Sequence, residues 1–198
     1  YIKEGPTLTQ QLLPLLRKGD ILTHSFTNNP GRILDENNKV FPELLHAQQR
    51  GVIIDTAMGR FNFAFDVASR ALEQGVRPDT LATDLTIPGR RDTVHSMTEM
   101  MTRFLALGFK LSDVIAMAST NAAKALNMDA SMGSLREGRL ADISVLSQES
   151  GKWVVKDCSG EELSTDQALS PWVTLREGEV FMPDWGPHPW GWLPEKAD

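Results

Sequence analysis

The chain has 198 residues, long enough for one sizeable domain or one domain with a small appendage, and its composition, 41% hydrophobic and 23% charged, is ordinary for a globular protein. The formal net charge of −6, with no cluster of Lys and Arg, argues against nucleic acid or an anionic membrane surface as the main partner. No apolar run reaches the roughly 18 residues of a membrane span. The single cysteine, Cys158, leaves no internal disulfide and favours a reducing compartment, so we expect a cytoplasmic protein.

Up to residue 127, short apolar segments alternate with segments of helical period. The predicted strands are DILTHSF (20–26), VIIDTAM (52–58) and DTLATDL (79–85). The predicted helices are LTQQLLPLLRKGD up to Gly19, then 41–51, 62–75, 92–108 and 111–127, the last two with Asp92 and Ser112 as N-caps. Strands that alternate with helices in this way predict parallel βαβ units.

Past residue 130 the pattern changes to short alternating strands with glycine turns. GSLREGRLADISVL and PWVTLREGEVF predict these strands, and residues 147–170 are interpreted as the link between them. The Pro- and Trp-rich end, MPDWGPHPWGWLPEKAD, is predicted to be irregular. We therefore expect a β-rich segment followed by an irregular tail.

The predicted fold class is α/β. Three parallel strands alone would form an incomplete, exposed sheet, and a (β/α)8 barrel takes about 250 residues. The first residue is Tyr1, and its neighbours do not resemble a targeting segment, which favours a piece of a longer protein. We expect the C-terminal part of a TIM-type barrel over 1–129, a small β-sandwich segment over 130–182 and the tail over 183–198.

Each predicted strand ends in a residue that can act in a site. The first ends in His24, the second contains Asp55, and the third ends in Asp84. The carboxyl ends of barrel strands converge on one mouth, so His24 and Asp84 could share a site as nitrogen and oxygen ligands suited to zinc. Taken singly, a buried hydrogen-bonded histidine and a turn or helix-cap aspartate are the better explanations of these two residues.

The order of these segments resembles the C-terminal portion of the amidohydrolase superfamily. It is similar to the branch with N-acetyl-D-amino-acid deacetylase-like and dihydroorotase-like members, which are metal-dependent hydrolases on a (β/α)8 barrel. LLRKGDILTHSF resembles the strand with a metal-binding histidine, here His24. The stretch from GVIIDTAM to LATDL resembles the strands that lead to a metal-binding, proton-shuttling aspartate, here Asp84. LSDVIAMASTNAAKALNM followed by GSLREGRLADISVL resembles the exit from the barrel.

The resemblance implies hydrolysis of an amide carbon–nitrogen bond in a small N-acyl substrate. It implies one or two Zn²⁺ ions, or another divalent metal, with Asp84 as general base and then general acid. The family's remaining metal ligands, a His-x-His, a lysine and a further histidine, have no counterpart in this chain. They would come from a missing N-terminal barrel half or another subunit, and we expect the piece alone to be inactive. A homo-oligomer is compatible with this expectation.

Three further residues are candidates for substrate binding. Met58 stands where relatives often have a Gly-His-Gly-like turn, and Arg60 and Arg90 follow strand ends, where either could pair with a substrate carboxylate. For both arginines a solvated surface position is the main alternative. Asp55 is interpreted as a buried structural carboxylate.

The other histidines are assigned no part in the site. His95 is interpreted as an ordinary helix residue, His46 as a residue of an outer helix, and His188 as part of the tail. Two other functions remain open. One is a non-catalytic pseudoenzyme or assembly module that pairs through its open sheet edge. The weaker one is a flavodoxin-like binding domain, for which no Gly-rich phosphate loop is present.

Overall fold

The computed structural model describes residues 6–197, with side chains from residue 9 onward. The start of the predicted first domain and the last residue of the tail lie outside the described residues. The helices are α1 (Pro6–Leu12), a 3-10 helix (Leu13–Leu15), α2 (Pro42–Gln49), α3 (Phe65–Glu73), α4 (Ile87–Asp92), α5 (Met97–Ala106), α6 (Leu111–Ala118) and α7 (Thr120–Ala125). The strands are β1 (Ile21–Leu22), β2 (Ile53–Ile54), β3 (Ile143–Lys156), β4 (Glu162–Arg176), β5 (Glu179–Phe181) and β6 (Glu195–Lys196). None of the described helices combines the length and the apolar character that crossing a membrane requires.

The first half of the chain contains parallel pairing, as the alternation of elements predicts. β1 pairs with β2 in parallel, and the neighbouring bridge between Asp55 and Thr80 is also parallel. The third predicted strand, 79–85, is reduced to this bridge and a few backbone hydrogen bonds, such as Met58 N–H to the Ala82 carbonyl. The Asp79 side chain accepts the Ile54 N–H at 2.8 Å, so a carboxylate stands where a regular ladder would use a backbone carbonyl.

Asp55 connects all three extended segments. Its carboxylate accepts hydrogen bonds at 2.7 Å from the hydroxyls of Thr23, after β1, and Thr80, in the third segment. Its own N–H donates to the Leu22 carbonyl. The residue is 9% exposed, and its carboxylate is occupied by these contacts, which supports the interpretation of a structural carboxylate.

Two predicted helices are divided. The helix predicted over 92–108 starts at Met97, because Ser96 and not Asp92 is its N-cap and accepts the Glu99 N–H at 3.0 Å. Residues before it form the separate helix α4. The helix predicted over 111–127 is interrupted at Ser119, whose hydroxyl donates to the Ile115 carbonyl, and Ser112 does not act as its N-cap.

The β-rich segment is one four-stranded antiparallel sheet in the order β5–β4–β3–β6. The prediction that residues 147–170 form a link is wrong, since most of them lie in the two long strands β3 and β4. Their apolar residues, such as Trp153 and Leu169, are buried, and β4 packs against α5. The described residues form no second sheet that would complete a sandwich. The tail is irregular apart from β6, which pairs with β3.

The β3–β4 turn is bonded back to the first half of the chain. The Asp157 carboxylate accepts the backbone N–H of Phe65, the first residue of α3, at 2.8 Å. Cys158 N–H donates to the Phe63 carbonyl, and the Thr102 hydroxyl on α5 accepts the Leu169 N–H. The antiparallel sheet therefore packs into the same core as the helices.

Candidate functional site

His24 and Asp84, which we call the strand-end pair, lie side by side. The His24 Nε2 is 3.7 Å from the Asp84 Oδ2, although 60 residues separate them in the sequence. The His24 side chain is 16% exposed and that of Asp84 is 47% exposed, so the pair opens to solvent on the Asp84 side. The sequence prediction that these two residues meet is consistent with this geometry.

The backbone positions this pair through three left-handed residues. His24 has φ 58°, Asp84 has φ 47° and Gly59 has φ 52°. For residues other than glycine this conformation costs free energy, and such outliers are concentrated at functional sites. A Cβ on Gly59 would lie 2.5 Å from the Asp84 Oδ2, so only glycine leaves room for the carboxylate.

The orientation of the His24 ring is fixed by a carbonyl of the second strand segment. The Nδ1 atom lies 2.8 Å from the Ala57 carbonyl oxygen. Because a carbonyl only accepts, Nδ1 carries the proton and donates, and Nε2 presents a lone pair toward Asp84 when the ring is neutral. A histidine whose other ring nitrogen is held in this way is typical of metal sites.

The donor set fits a divalent metal ion. An imidazole nitrogen and a carboxylate oxygen are both zinc ligands, with bonds of roughly 2.0 to 2.2 Å. Two ligand atoms that are 3.7 Å apart lie within the sum of two such bonds, so one ion can contact both. These two residues would supply part of a coordination shell.

The three predicted substrate-binding residues lie in different environments. Met58 is fully buried in the hydrophobic core. The Arg60 Nη2 is 2.5 Å from the Asp92 carboxylate, so this guanidinium is already paired. Arg90 is exposed near the end of α4. Of the three, only Arg90 is exposed and forms no ion pair with another described residue.

A second group, which we call the tail cluster, consists of His95, Glu99 and His188. The His188 Nε2 is 2.7 Å from the Glu99 Oε2, and the two imidazole rings have centroids 4.3 Å apart. The other carboxylate oxygen, Oε1, accepts a hydrogen bond from the fully buried Arg103 at 2.9 Å. The sequence interpretation, which assigned no role to these histidines, did not anticipate this grouping.

The charges in the tail cluster are set by burial together with its hydrogen bonds and neighbouring charges. Burial raises the pKa of Glu99, but the hydrogen bond from His188 and the positive charge of Arg103 outweigh it, and the pKa lies below its ordinary value. Burial lowers the pKa of His95. At neutral pH the cluster thus contains an ionised carboxylate beside an imidazole that favours its neutral form.

One signal for this cluster was present in the sequence. His95 and Glu99 are four residues apart, a spacing that brings side chains to one face of a helical turn. His95 itself lies just before α5, and not inside a helix as interpreted from the sequence. The third member, His188, is 89 residues beyond Glu99, and only the folded tail brings it there.

Comparison with known proteins gives a family match and curated relatives. The model of the Amidohydrolase family matches residues 61–176, a span that contains Asp84 but not His24. A deacetylase of Enterococcus faecalis is 25% identical over 183 residues, which are 91% of this chain and 49% of that protein. A deacetylase of Brucella anthropi is 24% identical over 171 residues, which are 86% of this chain and 42% of that protein. The chain thus spans about half the length of the curated relatives it matches.

Two solved structures have the same fold as this chain over most of its length and about half of theirs. A structure described as an adenine deaminase is 25% identical and superposes with a TM-score of 0.84, covering 88% of this chain and 48% of the other. A structure described as a dihydroorotase is 24% identical with a TM-score of 0.77, covering 91% and 47%. The chain therefore has the fold of about half of each of these proteins.

Proposed function

The chain belongs to the amidohydrolase family, and on that premise we propose that it forms part of an enzyme that hydrolyses carbon–nitrogen bonds other than peptide bonds. The reaction we favour is deacetylation of a small N-acyl substrate, the activity named for its curated relatives. The strand-end pair carries the proposal, because its two donor atoms are 3.7 Å apart and open to solvent. We propose Zn²⁺, one ion or two, as the cofactor, with His24 and Asp84 among its ligands.

The residues of the pair would act in different ways. A bound divalent ion supplies an acidified water and polarises the substrate carbonyl. His24 would hold the ion through Nε2, with the ring fixed by the Ala57 carbonyl. The Asp84 carboxylate, next to that nitrogen and half exposed, would accept the proton of the attacking water and return it to the departing amine.

We propose that the chain is the C-terminal part of a (β/α)8 barrel followed by a β-rich segment. The parallel order β1, β2 and the extended segment after Thr80 supports this, as does coverage of about half of each related structure. The division into 1–129, 130–182 and 183–198 remains our proposal. The remaining metal ligands would come from a further barrel segment or another subunit that adds strands beside β1, whose Ile21 is 45% exposed.

Substrate recognition in this proposal depends on an arginine. Arg90 is exposed, so it is our candidate to pair with a substrate carboxylate. Arg60 is the weaker candidate because it is paired with Asp92. Met58 would act only as buried support beneath Gly59, since its side chain is in the core.

The test is a metal and activity assay on the complete protein that contains this sequence. We expect His24→Ala and Asp84→Asn to lower bound zinc, and to reduce hydrolysis of N-acetyl-amino acids at least about a hundredfold. His46→Ala is the matched histidine control, since His46 is exposed on α2, and Asp66→Asn on α3 is the control for the aspartate.

The outcomes separate three functions. Zinc content and hydrolysis unchanged in both site variants would refute the assignment. Zinc-dependent release of ammonia from adenine, with no deacetylation, would favour the second candidate, a deaminase, which the superposition at TM-score 0.84 supports. A complete protein that binds no zinc and hydrolyses neither substrate would favour the non-catalytic assembly module.

A further inference from the structure

The tail cluster has the chemistry of a metal site separate from the strand-end pair. We propose that His95, Glu99 and His188 bind one Zn²⁺ ion, which fastens the tail to helix α5. Two imidazoles and a carboxylate form a common zinc ligand set that leaves a fourth position open. One donor atom from each residue lies within 4.8 Å of the other two, so modest side-chain rotation brings all three within reach of one ion.

Neighbouring groups orient each of the three ligands. The His95 Nδ1 is 3.1 Å from the Arg90 carbonyl, which only accepts, so Nε2 is the ring nitrogen with the lone pair. Arg103 holds the Glu99 Oε1 and leaves Oε2 directed to His188. The His188 ring stacks on Trp190 at 4.9 Å with an interplanar angle of 2°. Outer contacts of this kind fix ligands before a metal binds.

The surrounding cavity favours a cation. It has a volume of about 200 Å³. Its ionisable lining besides the histidines is Asp92, Glu99, Asp157, Glu195, Arg103 and Lys156. Four carboxylates therefore face two cationic groups, an excess of two negative charges before the histidines are counted.

The cavity also offers polar atoms for a water that would complete the coordination of the ion. Thr93 Oγ1 and Arg103 Nη1 are buried and have no hydrogen-bond partner within the described part of the chain. Both residues line the cavity, whose volume is several times the roughly 30 Å³ that one water occupies in the liquid. Buried polar atoms of this kind are normally satisfied, so they indicate a bound water or ligand.

The ion would join two parts of the chain that are far apart in sequence. His95 lies just before α5 and Glu99 lies in its first turn, whereas His188 belongs to the tail over 183–197. The tail is otherwise joined to the sheet at β6, where Lys196 pairs with Trp153 of β3. Binding at His188 would therefore reinforce its contact with Glu99, the second point at which the tail is held, and stabilise the folded state through linkage.

The experiment is a Zn²⁺ titration of the metal-stripped 198-residue chain against a chromophoric chelator. The His24→Ala/Asp84→Asn double variant serves as the background, because it removes the strand-end pair. We expect this background to bind one Zn²⁺ per chain, and a further His95→Ala or His188→Ala to weaken that binding at least about tenfold. A further His46→Ala should leave it unchanged. A background variant that binds no Zn²⁺ would overturn the proposal, as would equal binding after either added substitution.

A second measurement distinguishes loss of zinc binding from loss of folding in the variants. Limited proteolysis at the tail, where Trp185 is 94% exposed, should slow several-fold when Zn²⁺ is added to the background variant. In His188→Ala the added Zn²⁺ should have no such effect, with circular dichroism confirming that the metal-free variant is folded. Cleavage of the background variant at the same rate with and without Zn²⁺ would contradict the proposal. These results do not depend on hydrolytic activity, so they leave the proposed function to its own test.

Discussion

The strand-end pair and the tail cluster both contain histidine and a carboxylate, but they are held in place differently. In the strand-end pair, adjacent parallel segments and left-handed backbone bring His24 and Asp84 together, and Asp84 remains half exposed. In the tail cluster, tertiary packing buries Glu99 against Arg103, with side chains 5% and 1% exposed. We therefore expect substitutions in the strand-end pair to have little effect on stability, and substitutions around the buried Glu99 carboxylate to destabilise the core.

The largest expected effect is on stability, from Arg103→Met. This change leaves the Glu99 carboxylate buried without its cationic partner, and removing one member of a buried pair typically costs about 3 to 5 kcal/mol. Urea unfolding should show a loss of that size in the free energy of unfolding. Arg70→Met is the control, since its pair with Asp66 is exposed and worth roughly 0.5 kcal/mol or less. Equal losses in both variants would show that the tail cluster is not a stabilising core element.

A smaller loss of stability is expected from Gly59→Ala, next to the strand-end pair. Alanine at φ 52° costs about 1 to 2 kcal/mol, and its Cβ would displace the Asp84 carboxylate. We expect that loss in urea unfolding together with weaker zinc binding at the pair. Gly75→Ala is the control, because φ is 94° there but nothing lies within 4 Å of the added Cβ, so zinc binding should remain. Zinc binding retained in Gly59→Ala would contradict the role of the glycine.

The smallest effect on stability is expected from Asp84→Asn. The Asp84 side chain is 47% exposed, so the free energy of unfolding should change by less than about 0.5 kcal/mol. The matched change is Asp55→Asn, which removes the charge of a buried carboxylate bonded to Thr23 and Thr80 and should cost about 1 to 3 kcal/mol. A larger loss of unfolding free energy from Asp84→Asn than from Asp55→Asn would contradict the small contribution of the strand-end pair to stability.

The parallel part of the fold and the strand-end pair follow from local sequence pattern. Apolar runs that end in polar residues predict strand ends, and parallel strands bring those ends to one edge of the sheet. For that reason the sequence alone could suggest that His24 and Asp84 lie at one site. The length of the third strand could not be predicted, because a side chain, that of Asp79, takes the place of a backbone acceptor.

The antiparallel sheet and the tail cluster depend on contacts that local pattern does not contain. Residues 147–170 are rich in polar residues, so they suggest a link, yet most of them pair along β3 and β4. Trp153 and Leu169 are buried in the folded sheet, and β4 packs against α5, a tertiary contact that local pattern does not predict. Likewise, the contact of His188 with Glu99 joins residues 89 positions apart, in a tail whose β6 strand pairs with β3.

The bond from Asp157 to the first turn of α3 has a consequence for building chimaeras between family members. The β3–β4 hairpin provides an acceptor for a helix that lies 92 residues earlier in the chain. Exchanging residues 130–182 with those of a relative would therefore replace the acceptor of this hydrogen bond while keeping its donor. A graft without an aspartate at this position would leave the Phe65 N–H without its hydrogen-bond acceptor. Crossover points for recombination should therefore keep Phe65 and Asp157 from the same parent.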